Sequence, residues 1–64
     1  MEDYSKADLE EALRSISSTI SKCEKAQMKL REGTPQHTLT ERRIKAFHIA
    51  VDLITRELEG ADNA

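Results

Sequence analysis

Three side chains in this sequence could hold a transition metal, Cys23, His37 and His48, and twelve carboxylates stand among them. No two of the three lie at the spacings that common zinc sites use, so no metal site is assigned. Cys23 continues the apolar seam of the first helix described below, where a free cysteine acts as a small packing residue. His48 falls on a polar face with Asp52 one turn away and reads as solvated. His37 lies beside the turn, as a loop or first-turn residue that adds to the local positive charge when protonated. The carboxylates at Glu10-Glu11 and at Glu57 and Glu59 invite a general acid and base reading. Consecutive residues on a helix point about 100° apart, however, and acids near a helix start are accounted for by its positive end. The serines between residues 15 and 21 have no histidine nearby in sequence to act as base, and the two glycines never form a phosphate-cradling run. No catalytic residue and no cofactor is assigned, and the chain is expected not to be an enzyme.

One charged constellation has a functional reading. From Lys22 to Lys45 there are seven basic and three acidic residues, a local charge of +4, whereas the two flanking thirds carry −6. Lys22, Lys25, Lys29, Arg42, Arg43 and Lys45 could contact an anion or an acidic partner, since such contacts need only cations on one face. Base recognition usually adds aromatic platforms, and the aromatics here are Tyr4 and Phe47, the second within an apolar seam. An acidic protein surface is therefore the preferred reading and a small nucleic-acid-binding or regulatory module the alternative. The overall formal charge of −2 predicts no general attraction to nucleic acid or to an anionic membrane.

These residues are positioned by a chain that reads as one helical hairpin, residues 1–64, reversing at Gly33-Thr34-Pro35. Gly33 suits the left-handed position after a helix end, and Pro35 lacks the amide proton needed to continue that helix. After a polar lead-in, helix 1 is expected over about residues 5–32. Ser5 caps it, Asp8 reaches back as the box acid, and Tyr4 and Leu9 form the flanking apolar staple. Leu9, Leu13, Ile16, Ile20, Cys23, Gln27 and Leu30 recur at alternating spacings of four and three, the seam of a helix packed along one line. Ala12, Thr19 and Ala26 flank that seam one heptad apart, so a neighbouring helix could approach closely there. Residues 15–21 are poor in helix formers, but their two isoleucines stand four apart, which a strand would not want.

The turn is expected over about residues 33–37 and helix 2 over about 38–60, with a frayed tail at 61–64. Two starts compete for helix 2: Thr34 capping with Pro35 in the first helical position, or Thr38 capping with Glu41 as the box acid. Its seam is Ile44, Phe47, Val51, Ile54, Leu58 and Ala61, and Gly60 is a plausible stop. Beside the seam runs a second apolar stripe of Leu39, Ala46, Ile49, Ala50 and Leu53. The two stripes sweep about 200° of the circumference, against about 100° for helix 1. One partner helix cannot cover that, so the excess must meet a helix of another molecule. Helix 2 is also basic towards its start and acidic towards its end, contrary to its dipole, and an antiparallel hairpin gathers like charges at both tips.

Sixty-four residues rarely bury enough apolar surface to fold securely alone, and the single cysteine rules out an internal disulfide. The unpaired thiol and the lack of a basic, apolar leader suggest a cytoplasmic protein, and no stretch is apolar enough to span a bilayer. No family is assigned from the sequence; small bacterial two-helix hairpins include phosphatases of the sporulation relay, which carry Ser-Gln-Glu-Leu-Asp on the second helix. Here Phe47-His48-Ile49-Ala50-Val51-Asp52 keeps only an acid, so that activity is not carried over. The expectation is an all-α antiparallel two-helix hairpin that self-associates into a dimeric four-helix bundle. Leu39, Ala46, Ile49, Ala50 and Leu53 would form the oligomer interface of a protein-interaction or structural module. A helical adaptor docking on a larger protein would use the same face.

Overall fold

The structure, a computed structural model, describes residues 4–63, and the side chains of residues 4–60. It consists of two helices, α1 (Lys6–Gln27) and α2 (Pro35–Asn63), packed against each other as a hairpin measuring 46 × 19 × 18 Å. At about 1.5 Å per residue the 22 residues of α1 run about 33 Å and the 29 residues of α2 about 43 Å. The second helix therefore sets the length of the molecule.

The start of α1 is fixed by a reciprocal capping box. The Asp8 amide donates to the Ser5 hydroxyl at 3.1 Å, and the Ser5 amide donates to the Asp8 carboxylate at 3.4 Å. Two amides that the helix leaves without partners are thereby satisfied. The serine-rich middle stays helical as the isoleucine spacing requires. Thr19 turns its hydroxyl onto the Ser15 carbonyl at 2.9 Å, so its polar group is met within the helix itself.

Helix 1 ends earlier than its pattern suggests, at Gln27 rather than near Glu32. Its ladder tightens as the Lys29 amide donates to the Ala26 carbonyl and the Leu30 amide to Gln27, both one residue short of the α-helical span. Met28, Lys29, Leu30 and Arg31 are all good helix formers, so local preference does not end this helix. The reversal does. The Thr34 amide donates to the Arg31 carbonyl, closing a four-residue turn in which Gly33 stands at φ +86°.

Of the two competing starts for helix 2, the earlier one is realised. The Thr34 hydroxyl accepts from the His37 amide at 3.2 Å and donates to the Arg31 carbonyl at 2.7 Å, with Pro35 in the first helical position. A cap at Thr34 wins because proline fits where no amide donor is needed, and the Thr38 amide is then already used by the Thr34 carbonyl. The far end is corrected too: α2 runs through Gly60 to Asn63 instead of stopping at Gly60. Gly60 is not among the residues with a positive φ, so it does not act as a helix terminator.

Both seams turn inward. Leu9, Leu13, Ile16, Cys23, Gln27 and Leu30 of the first are partly covered, as are Ile44, Phe47, Val51, Ile54 and Leu58 of the second. The side chain of Ala61 lies outside the described residues. Yet Ile20, at 8% exposure, is the one apolar side chain that counts as buried among the described residues. Two helices alone close a line of contact rather than a core. No helix among the described residues is long and apolar enough to cross a membrane.

Candidate functional site

The largest uncovered feature of the hairpin is the second stripe of α2. Leu39, Ile49 and Leu53 are 48%, 52% and 58% exposed, Ala46 is exposed, and Ala50 is half-covered at the edge of the seam. The cause is geometric. A helix side chain lies on the same face as those three and four residues away, so these five positions share one flank and cannot reach α1 while the seam does.

The small residues of α1 lie on the same flank of the hairpin. Ala12, Thr19 and Ala26 precede the α1 seam in angle, just as Ala46, Ala50 and Leu53 precede the α2 seam. Two right-handed helices running in opposite directions bring those two flanks to the same side. A shallow open groove marks part of that side, lined by Tyr4, Asp8, Leu9, Ala12 and Ile54. Its lining places Ile54 of α2 near the level of Leu9 and Ala12 of α1. Tyr4, expected only to staple the helix start, is 69% exposed and adds its ring to this surface. Met28, 86% exposed at the end of α1, was not singled out by the sequence pattern; it falls off the seam, and no periodicity marks it.

The cations do not share a face. Lys22, Lys25, Lys29, Arg42, Arg43 and Lys45 are all exposed near the turn end. At about 100° per residue Arg43 and Lys45 point about 160° apart, so the six surround the turn rather than forming a stripe. Nor do Arg42, Arg43 and Lys45 meet the helix dipole as the sequence suggests. With α2 starting at Pro35, all three lie beyond the first turn, where the dipole's effect has faded, and that turn holds no acidic residue.

The candidate ligands stay apart. Cys23 lies on the α1 seam as expected but is only partly covered, because a single neighbouring helix leaves one side of that seam open. His37 is part-buried in the first turn of α2, and His48 is exposed on the far face. Among the described residues no three of the His, Cys, Asp and Glu side chains come together in a way that could hold a metal ion. What the arrangement offers is contact area, an apolar flank edged by charge. Comparison with known protein families, with curated proteins and with solved structures finds no match to this chain.

Proposed function

We propose that this chain is a protein-interaction module that acts as a homodimer, two hairpins pairing through the flank of α2 into a four-helix bundle. The observation that carries this reading is the contrast between one buried apolar side chain and three large ones about half exposed on a single helix flank. A fully covered Leu or Ile contributes roughly 1.5 to 3 kcal/mol, so the flank holds stabilisation comparable to what a chain this short lacks. Closed two-fold association uses the same patch on both copies, which suits a stripe confined to one helix. The charges set the orientation. The two tips of one hairpin are separated by far more than a Debye length of about 8 Å, so their opposite charges cannot help each other within one chain. A second hairpin laid in reverse brings each basic turn end beside an acidic terminal end.

Such a module works by contact rather than catalysis, and its unpaired thiol fits a reducing compartment such as the cytosol. Light scattering across a concentration series tests the reading. The expected result is a dimer at micromolar concentration that Leu53→Glu converts to a largely unfolded monomer. A well-folded monomer of the unaltered chain at that concentration would sink it, and would turn the same flank towards a foreign helical partner.

A further inference from the structure

The geometry points to one register for the pairing of two copies, in which a two-fold axis passes between Ile49 and Ala50 and Arg43 lies beside the partner's Glu57. This rests on the self-association proposed above and adds where the copies meet. Leu39, Ala46, Leu53 and Gly60 are each seven residues apart, so they form the central row of the exposed flank of α2. Laid antiparallel, that row can meet its own copy only in steps of one heptad.

Three such steps keep at least three of its four positions in overlap. Centred on Ala46, the row sets Leu39 against the partner's Leu53, leaves two alanines facing each other, and carries Glu57 beyond the cations to the partner's Pro35. Centred on Leu53, it crowds the two Leu53 side chains against each other. Centred between Ile49 and Ala50, it places Leu53 over the partner's Ala46 and Leu39 over the partner's Gly60. Large meets small in every layer of the row. Gly60 then has a role that its place inside a helix otherwise lacks. Glycine there costs about 1 kcal/mol relative to alanine, and a side chain at that position would meet nothing within 4 Å in the single hairpin.

On the edge of the flank nearer α1 the charges favour the same step. On the opposite edge Arg42 comes level with the partner's Arg56, so the packing of large on small selects the register and the Arg43 and Glu57 pair reports it. Arg43 and Glu57 both lie on the edge of the flank nearer α1, fourteen residues or about 21 Å apart along α2, so they cannot pair within one chain. In the central register each comes level with the other on the partner, twice by symmetry. Because Ile54 lines one groove with Leu9 and Ala12, the same axis carried across the hairpin brings Lys22 near the level of the partner's Asp8, another opposite pair on the small-residue side of α1.

A charge swap tests this register. At low salt Arg43→Glu and Glu57→Arg alone should each weaken the dimer by about tenfold or more, because each sets like charges together at two symmetric places. The double variant should recover most of that loss, since every exchanged pair is again opposite. In a Cys23→Ala background, Ala50→Cys should form a disulfide-linked dimer on mild oxidation. Ala46→Cys should not, because its two copies lie seven residues out of level, about 10 Å. Recovery together with selective cross-linking at position 50 supports the register. A double variant no better than either single, or cross-linking at position 46 instead, overturns the register while leaving self-association standing. A monomer of the unaltered chain overturns both.

Discussion

The two helices meet the same solvent with different degrees of completion. In α1 a single apolar line is laid against its neighbour, its start is closed by the Ser5 and Asp8 box, and Lys25 sits in its last turn where the dipole favours a cation. In α2 the apolar arc is twice as wide, and only the half that forms the seam is met by α1. The hairpin therefore partly covers the single apolar line of one helix and leaves a whole stripe of the other exposed. The difference separates two kinds of apolar residue: those covered within the chain, and those the hairpin leaves exposed.

Substitutions along the two lines can be read against each other. Ile20→Ala should cost about 2 to 5 kcal/mol, since it empties the best covered position of the hairpin, and the loss should be the same at every protein concentration if hairpin closure alone is affected. Thermal unfolding followed by helical circular dichroism, at two concentrations well apart, measures it. Leu53→Ala should cost roughly 2 to 3 kcal/mol in the dimer and close to nothing in a dilute monomer, where the side chain is 58% exposed. Equal effects at all concentrations would erase the distinction between the lines.

Smaller effects belong to the turn that both lines share. Gly33→Ala should cost about 1 to 2 kcal/mol from backbone alone, because φ is +86° there and nothing stands within 4 Å of a new methyl group. Thr34→Ala should cost about 1 kcal/mol by removing the cap of α2, and Thr34→Ser should restore most of it. Smallest of all is the response of Cys23. Its half-covered thiol should label more slowly than in denaturant, and labelling equally fast in both would take Cys23 off the seam.

Most of the hairpin could be read from spacing and cap chemistry. The Ser5 and Asp8 pair, the two seams and the left-handed glycine each obey a local rule, and each is present in the structure. The helix ends were harder because they are decided by competition. Residues 28–31 favour helix and the reversal overrides them, while Thr34 and Thr38 both make plausible caps and only proline's missing amide separates them. The open flank of α2 was legible as an excess of apolar arc. The divergence of Arg43 and Lys45 around the turn follows from helical angle as well, but counting charge along the sequence conceals it. The groove at the other end needed the register of one helix on the other, which no local pattern carries.

The hinge has a consequence for the order of events during assembly. A single Thr34 hydroxyl donates to the Arg31 carbonyl within the turn and accepts from the His37 amide in the first turn of α2, so the reversal and the start of the second helix are tied within seven residues. Closing so short a loop carries little entropic cost and takes well under a microsecond, whereas two separate molecules must find each other by diffusion. Hairpins would thus form and dissolve many times before any encounter. Refolding from denaturant should show a fast phase independent of concentration, in which helix appears, followed by a slower one that speeds up as protein is added. On this pathway the meeting of two copies would capture hairpins already bent, and the turn would set how many are ready at any moment.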